Sequence, residues 1–514
     1  MRPKNNVNWS IISAMVYEIT KFILMKNFRA TFAVLGTLET GFFRVAALGV
    51  CLLAATGCAT NPVSGESDFV LMSEEQEIAM GKQNHVEVMK QYKEYEDPEL
   101  QAYIEKIGQK LAAAGHRGHL EYTFTLLDSP QVNAFALPGG YIYITRGIMA
   151  YMNNEEQLAG VLGHELGHVT ARHGVRQHGA QTAASVIGVL ATMATGSQQV
   201  AQASSQLGGA LVSGYGRQHE LEADRLGAEY LARTGYDPDK MLGVVGILKD
   251  QEEFELQRAR DEGREPRVYH GVYASHPEND DRLQEVIRAA DKFKIPNARQ
   301  TNPEVFLELM EDVTFGDSEE QGIVRDHRFY HKALNFTVAF PQGWRIENQP
   351  TQIVAIRQDR AAAMIVNLDQ LQGSENASQF LHRKFPKLEE GKKLDRGAYT
   401  GTLNGNTPFG LTRFRVTSVP HEDHVFIVAG FAKEKRPDQD FLDTADSIRK
   451  LNSSEIRLAT EKRIDLVRVN SGDTFKKLAA RSGLGKYAED QLRLLNGMYP
   501  DGEPRSGQII KIIR

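Results

Sequence analysis

The most constraining feature of this sequence is the segment from Val161 to His168, which reads VLGHELGH. His164 and His168 are four residues apart, so in a helix their side chains lie on one face, about one turn from each other. Two neutral imidazoles at this spacing suit Zn²⁺, and Glu165 can take a proton from an attacking water. The segment therefore predicts a metal-binding helix, provided that its flanks are helical and that a third ligand exists.

The sequence on both sides of this segment favours a helix. Apolar residues recur at helical spacing between residues 155 and 173. Asn153, with Glu156 three positions later, is typical of a capping box at a helix start, and Gly174 can end the helix. We therefore predict one helix over residues 155–173 that carries both histidines.

A third ligand must come from another part of the chain, and the segment RQHELEAD at residues 217–224 offers two candidates. Glu220 and Asp224 are four residues apart, so both lie on one face of a second helix. One carboxylate can reach the metal while the other accepts the free ring N–H of a ligating histidine. Together, the two segments predict a metal site built by two helices.

The motif HELGH followed by E-x-x-A-D resembles the gluzincin family M48 of Ste24-like and HtpX-like metallopeptidases. The resemblance implies a zinc metalloendopeptidase with one Zn²⁺ per chain and with Glu165 as the general base. The ligands that it implies are His164, His168 and Glu220. It also implies that Asp224 supports a ligating histidine. The family usually has Ser-Arg before the second motif, whereas this chain has Gly-Arg at residues 216–217.

Other polar residues near the two motifs are expected to have ordinary roles. We expect His173, His178 and His219 to be solvated or to lie in the core rather than to bind metal. Glu222 is expected to be a solvated position on its helix. The predicted metal set is therefore limited to two histidines and one glutamate.

The start of the chain is typical of a secreted protein. An apolar run at residues 45–55 follows Arg44 and is too short to span a bilayer. The stretch LAATGC, which ends at Cys58, resembles a bacterial lipoprotein processing site. The resemblance implies that residues 1–57 are a signal peptide and that Cys58 is acylated, with Ala59 implying sorting to the outer membrane. A plain signal peptide with an unmodified Cys58 is the alternative.

Further helices are predicted around the metal site. Ser73 and Asp97 each mark a capped helix start, and an amphipathic pattern follows Asp237 as far as about residue 260. Residues 180–216 are rich in small residues, and their longest apolar stretch is too short to span a membrane. We expect a helical hairpin there that covers the cleft or is mobile.

Two strands are predicted ahead of the metal helix, at residues 122–127 and 133–145. The segment NAFALPGG, at residues 133–140, matches a second signature of the same family, which in that fold lies beside the zinc cleft. We expect Asn133 and Phe135 to lie on an edge strand that pairs with an extended substrate backbone. A plain buried hairpin is the alternative.

The segment SHPENDDR at residues 275–282 resembles a short H-P segment of the family. The resemblance implies that His276 is either a fourth zinc ligand in a resting state or, with Arg282, a stabiliser of the transition state. We favour the first role, in which His276 blocks the position of the attacking water. A loop histidine without a catalytic role is the alternative.

The carboxy-terminal half shows two changes of pattern. Residues 301–325 are rich in charge and are predicted to be a linker. Residues 326–455 show short alternating strands and faintly resemble the small α/β sandwich of PsbP-like and Mog1-like proteins, without a catalytic constellation. Residues 460–514 resemble a LysM module with the order strand, helix, helix, strand, which implies binding of N-acetylglucosamine-containing glycan. A LysM-like fold kept only for packing is the alternative.

The sequence as a whole predicts a multidomain α+β protein, in which a mainly helical gluzincin-type zinc peptidase domain with a small sheet occupies residues 58–300. A net charge of −6 and a pI near 6.2 give no basic surface for nucleic acid. We expect an endopeptidase that is lipid-anchored on the periplasmic side of the outer membrane and cleaves misfolded or misassembled envelope polypeptides. An envelope assembly or scaffold factor with a latent zinc site, or a peptidoglycan-directed zinc amidase, are the alternatives.

Overall fold

The computed structural model describes most of the chain beyond residue 57. The described residues are 58–65, 67–70, 72–177, 216–264, 266, 279–296, 298–299, 301–349, 352–407, 410–422, 424–433 and 438–514. The chain divides into two units, the smaller of which ends at Met72 and excludes residues 62–64. In the smaller unit, β1 (Cys58–Thr60) pairs antiparallel with β2 (Ser67–Phe69). The predicted signal peptide lies outside the described residues.

The larger unit begins with two capped helices, as predicted. In α1 (Glu74–Gln91), Ser73 and Gln76 form a reciprocal capping box. In α2 (Pro98–Ala114), the Asp97 side chain accepts the Leu100 N–H, and proline occupies the first turn. Both helix starts are therefore set by residues that are local in sequence.

A three-stranded sheet follows, with the order β3 (Thr123–Leu127), β5 (Tyr141–Thr145), β4 (Ala134–Leu137). Strands β3 and β5 are parallel, and β4 is antiparallel to β5 at the edge of the sheet. The turn between β4 and β5 requires glycine, because Gly140 has a φ of 105° and a Cβ there would lie 2.4 Å from the Glu121 carbonyl oxygen. The expected edge strand is thus a four-residue segment that contains Phe135.

The metal helix is α4 (Glu155–Thr170), which follows the short helix α3 (Arg146–Met149). Its cap differs from the prediction by one residue, since the side chain of Asn154, not of Asn153, accepts the Gln157 N–H. Glu156 is not part of a capping box; its carboxylate instead accepts from the backbone and the hydroxyl of Thr301, a partner 145 positions away.

The end of α4 also differs from the prediction. The helix stops at Thr170, before the expected residue 173, because Arg172 adopts a left-handed conformation with a φ of 58°. Only a few per cent of non-glycine residues have a positive φ. Arg172 is held in this conformation by burial and by a 2.8 Å hydrogen bond from its Nε to Glu77.

The second motif lies on α5 (Arg217–Arg233), which packs closely along α4. Small residues line this contact, since a Cβ on Gly163 would lie 3.4 Å from the Gly227 backbone and one on Gly167 would lie 3.0 Å from the Ala223 carbonyl oxygen. The loss of helix propensity at these two glycines is therefore offset by a close backbone approach. This approach brings the two motifs within reach of each other.

Helices complete the peptidase region of the larger unit. A 3₁₀ turn (Pro238–Lys240) leads into α6 (Met241–Glu262), and α7 (Asn279–Phe293) packs against α5 and α6. The hairpin predicted for residues 180–216 lies outside the described residues, apart from residue 216. None of the helices in the described ranges combines the length and apolar character needed to cross a bilayer.

The segment predicted to be a linker carries structure of its own. It contains α8 (Pro303–Glu308), β6 (Thr314–Phe315) and β7 (Ile323–Arg325). Phe306 is fully buried, and so is Met310, in the same core as the metal helix. Although the segment is rich in charge, a few large apolar residues hold it against the peptidase region.

An antiparallel sheet of seven strands dominates the next region, with the order β10-β11-β12-β16-β15-β14-β13. Its strands are β10 (Arg345–Gln349), β11 (Gln352–Ile356), β12 (Ala362–Gln370), β13 (Glu389–Lys393), β14 (Tyr399–Thr407), β15 (Gly410–His421) and β16 (His424–Ala432). Smaller elements accompany it: β8 (Arg328–His331), β9 (Phe336–Ala339), α9 (Ala377–Lys384), α10 (Asp438–Asp446) and α11 (Ser453–Leu458). His421 and His424 flank a tight turn.

The last region has the predicted order of strand, helix, helix, strand. Its elements are β17 (Lys462–Arg468), α12 (Phe475–Ala479), α13 (Ala488–Leu495) and β18 (Ile509–Ile513). Strand β17 pairs antiparallel with β18 on one side and with β6 on the other. Phe475 and Leu492 belong to the same apolar cluster as Leu166 of the metal helix, so this module and the peptidase region share one core.

Candidate metal centre

Three buried side chains from the two motifs meet where α4 and α5 pack together. The Nε2 atoms of His164 and His168 are 3.0 Å apart, and each lies 3.5 Å from one carboxylate oxygen of Glu220. All three residues are at most 4% exposed. Among the described residues, this is the one set of histidine, cysteine and acidic side chains whose ligand atoms lie within 4.8 Å of one another.

The distances fit a small tetrahedral cation. Ligand atoms about 2.0–2.1 Å from a tetrahedral zinc are separated from each other by about 3.3–3.4 Å, close to the 3.0–3.5 Å observed here. Two imidazole nitrogens and one carboxylate oxygen also match the ligand set of a catalytic zinc site, which leaves a fourth position open. The residues present therefore fit the metal that the sequence predicts.

Asp224 lies where the sequence places it, one turn after Glu220 on α5. Its Oδ1 is 2.8 Å from the Nδ1 of His164, and its side chain is fully buried. Because a carboxylate can only accept, His164 donates its Nδ1–H, and its Nε2 lone pair faces the centre of the site. Asp224 thus holds His164 in the orientation and tautomer that metal binding would need.

His173 and Glu222 have larger roles than their sequence context indicates. The Nδ1 of His173 is 2.9 Å from the Nδ1 of His168, and its Nε2 is 3.1 Å from Glu222, which also accepts from Arg176 at 3.0 Å. His173 is completely buried, whereas Glu222 keeps 19% of its side chain exposed. The ring of His219 stacks on that of His173 at 4.3 Å. Glu222 is therefore not the solvated residue that was predicted.

The pKa values of this group follow from burial and charge. Burial lowers the pKa of His173, and burial, together with the charges of His173 and Arg176, lowers that of His219 to about 4. Burial acts to raise the pKa of Glu222, but hydrogen bonds and charge from His173 and Arg176 outweigh it and lower the pKa to about 2. Glu222 is therefore ionised at neutral pH.

A buried ionic cluster supports the end of the metal helix. Arg117 donates to both Glu77 and the carbonyl of Val169, at 2.7 and 3.1 Å. Arg172 donates to the other oxygen of Glu77. These residues lie far apart in the sequence, so no local pattern could predict them. Together they fix the left-handed turn that carries His173 back toward His168.

The edge strand β4 lies beside the metal site. A small pocket next to His168 is lined by β4 and the turn that follows it, with the end of α4 on its other side. Its lining residues include Ala136, Leu137, Pro138, His168 and Val169. The ring of Phe135 stacks on Tyr143 of the neighbouring strand at 4.7 Å. Asn133 pairs with Thr145 just before the strand begins.

The remaining predicted residues are placed only in part. Glu165 lies on α4 directly after His164 and is 2% exposed. His276 lies outside the described residues. Arg282 falls within α7, in the part of that helix whose side chains are not described. Cys58 begins β1.

Two regions of the chain match models of known protein families. Residues 98–290 match the model of peptidase family M48, and residues 467–512 match the model of the LysM domain. The first match contains both metal motifs, and the second contains the strand–helix–helix–strand module. A metal, typically zinc, is implied by the first family.

Individual relatives and solved structures cover parts of the chain. It is 32% identical to the beta-barrel assembly-enhancing protease of Yersinia pestis over 242 residues, which are 45% of this chain and 48% of the relative. It is 29% identical to the mitochondrial metalloendopeptidase OMA1 of Schizosaccharomyces pombe over 35% of this chain and 53% of that protein. The chain thus spans about half the length of the curated relatives that it matches.

A solution structure of cyanobacterial PsbP from Synechocystis is similar to 25% of this chain and 95% of that protein, with 13% identity and a TM-score of 0.20. The matches to the two family models identify two regions of the chain. One contains the metal motifs and the other the carboxy-terminal module. The chain therefore contains a peptidase family M48 domain at residues 98–290 and a LysM domain at residues 467–512.

Proposed function

We propose that this protein is a zinc-dependent endopeptidase of the bacterial envelope that binds one Zn²⁺ per chain. The observation that carries the proposal is the buried set of His164, His168 and Glu220, with ligand atoms 3.0–3.5 Å apart. Relatives named as proteases and metalloendopeptidases favour peptide hydrolysis over a peptidoglycan amidase. The Yersinia pestis relative is named a beta-barrel assembly-enhancing protease, and this name favours polypeptides that assemble into β-barrels as substrates.

The chemistry would be divided between the metal and Glu165. Zinc, when bound, supplies a Lewis acid that polarises the scissile carbonyl and acidifies the attacking water. Glu165 takes the proton from that water, a role suited to a carboxylate one step of about 100° round the helix from His164. Asp224 keeps His164 in the ligating tautomer during the reaction.

Substrate would bind in extended form along β4. Thr145 donates its N–H to the carbonyl of Asn133, so alternate residues from Asn133 onward bond to β5, and Ala134 and Ala136 direct their backbone groups away from it. A substrate strand added at that edge would run past His168, because Ala136 and His168 line the same pocket. Phe135, stacked on Tyr143, keeps the strand rigid.

We also propose that His276 blocks the position of the attacking water at rest. The alternative role is that His276, with Arg282, stabilises the transition state. Support comes from the H-P segment of the sequence. A loop histidine stiffened by the following proline can occupy the fourth zinc position until substrate displaces it.

For localisation, we propose a lipid anchor at Cys58 that holds the protein on the periplasmic face of the outer membrane. The processing-site pattern of residues 53–58 supports this proposal. Peptidoglycan is the second proposed partner, and the match to the LysM domain supports it. No role in binding nucleic acid is proposed.

The test compares the parent protein with Glu165→Gln, using an unfolded outer-membrane protein as substrate. We expect Glu165→Gln to retain zinc and to lose cleavage, with exposed Glu99→Gln as the matched control that retains both. Full cleavage by Glu165→Gln would refute the proposed base. An envelope phenotype rescued equally by the inactive variant would favour the scaffold, and release of peptidoglycan fragments would favour the amidase.

A further inference from the structure

The two ligating histidines are supported in different ways. His164 is bonded directly to the carboxylate of Asp224 at 2.8 Å. His168 is bonded through its Nδ1 to another imidazole, that of His173, at 2.9 Å, and the Nε2 of His173 is 3.1 Å from the carboxylate of Glu222. The Nδ1 of His168 is therefore linked to a carboxylate through two hydrogen bonds, whereas the Nδ1 of His164 is linked to one through a single hydrogen bond.

The chemistry of the groups sets the direction of this chain. A carboxylate can only accept, so His173 donates its Nε2–H to Glu222. The Nδ1 of a neutral His173 then carries a lone pair and accepts the Nδ1–H of His168. With its proton on Nδ1, His168 presents a lone pair on Nε2, the atom that is 3.5 Å from Glu220. With His173 neutral, any other arrangement leaves two donors or two acceptors facing each other between His168, His173 and Glu222. The Nε2 lone pairs of His164 and His168 then face each other at 3.0 Å, where a cation would lie between them.

His173 is held in place from several sides. The left-handed Arg172, with a φ of 58°, turns the chain so that the ring of His173 points back toward α4. His219 stacks on the ring at 4.3 Å with only 17° between the planes. His219 and Glu222 are three residues apart on α5, so one helix face supplies both the stacking and the acceptor. Arg176 holds the Glu222 carboxylate at 3.0 Å.

We propose that His173 and Glu222 are positioning residues for the metal site, which fix the ring and the tautomer of His168 through a glutamate–histidine–histidine chain. The inference rests on the proposed zinc function and deepens it. Partners of ligating histidines raise metal affinity because they pre-orient the ring and increase its basicity. Glu222 lies on a different face of α5 from Glu220 and Asp224. The imidazole of His173 lies between Glu222 and His168 and lets Glu222 orient His168 from that face.

The experiment compares two substitutions of His173 that remove the same ring. Asparagine keeps a carbonyl oxygen near the position of Nδ1 and can still accept from His168, whereas leucine of similar volume cannot. Zinc affinity of the full protein, measured by competition with a chromophoric chelator, is expected to fall about 10- to 100-fold in His173→Leu. It should fall less in His173→Asn, which keeps the acceptor for His168 but loses the link to Glu222. Both variants lose the contact with Glu222, so a loss of packing alone would affect them equally.

His116→Leu is the matched control. It removes another partly buried imidazole that bonds to the Tyr230 hydroxyl at 2.8 Å, away from the three ligands, and its zinc affinity should be unchanged. Parent-like zinc binding by His173→Leu, or an equal loss in His173→Asn, would overturn the positioning role. A parent protein that binds no zinc, or binds it equally well with His164→Ala, would overturn the proposed function itself.

Discussion

The substitution Lys511→Met tests whether the LysM domain is a fixed part of the peptidase region. Lys511 lies on β18, is completely buried, and donates its Nζ hydrogens to the carbonyls of Ala150 and Met152, at 2.5 and 2.6 Å. These carbonyls belong to the segment that joins α3 to the metal helix. Gln491 adds a bond to the Tyr151 hydroxyl at 2.9 Å. One lysine therefore joins the module to the start of the metal helix.

The expected loss of stability follows from the two carbonyls. Methionine keeps the length of the side chain but cannot donate, and Ala150 and Met152 are at most 2% exposed. Each buried acceptor left without a donor costs about 1–3 kcal/mol. Burial lowers the pKa of the Lys511 ammonium well below its usual range. Removing the amine also removes the cost of burying it, which offsets part of the cost of the two unpaired carbonyls. We expect a net loss of about 2–4 kcal/mol in the free energy of unfolding.

The pKa shift also predicts a dependence on pH. Since the pKa of Lys511 is lower in the folded protein, the unfolded chain binds more protons between the folded pKa and about 10.4. The stability contributed by this site is therefore smallest at pH values below the folded pKa and rises with pH toward 10. The slope is at most about 1.4 kcal/mol per pH unit. Lys511→Met should lack this rise.

Urea unfolding at pH 7 and pH 9, followed by circular dichroism, measures both effects. The exposed Lys476→Met in the same module is the control and should unfold like the parent. Equal midpoints for Lys511→Met and the parent at pH 7 would refute the reasoning. So would a separate early transition of residues 460–514 in the parent, because a module that shares the core should unfold with it.

Two further predictions concern the metal site and its edge strand. Asp224→Ala should weaken zinc binding about 10- to 100-fold in chelator competition, and undiminished affinity would contradict its role in orienting His164. Ala136→Pro removes a backbone N–H that points away from β5 and should raise KM for an unfolded polypeptide about tenfold, the equivalent of one hydrogen bond, with zinc affinity unchanged. An unaltered KM would exclude substrate pairing at β4.

The carboxy-terminal module shows how packing can change an experiment that the sequence suggests. Deleting residues 465–514 is the natural test of a scaffold role from the domain pattern alone. In the structure, that deletion would remove most of β17 and all of β18, and it would uncover the core around Phe306. Its phenotype would then report unfolding, so a single substitution such as Glu165→Gln separates catalysis from scaffold better.

The sequence by itself determined the features that depend on neighbours in the chain. The spacing of His164 and His168, the caps at Ser73 and Asp97, and the order of elements in the LysM module follow from local periodicity and turn chemistry. The spacing also indicated that one of Glu220 and Asp224 would support a ligating histidine, because residues four apart share a helix face; the family resemblance assigned that role to Asp224.

Only the tertiary structure decided which polar residues join the site from positions outside the four-residue spacing of the two motifs. His173 and Glu222 are 49 positions apart, and Lys511 and Ala150 are 361 apart. A buried polar group must find a partner, but the sequence does not say which one, since the partner is chosen by how the helices and the turn at Arg172 bring distant segments together. For the same reason the charge-rich residues 301–325 pack into the core, held there by a few apolar side chains whose contacts exist only in the folded chain.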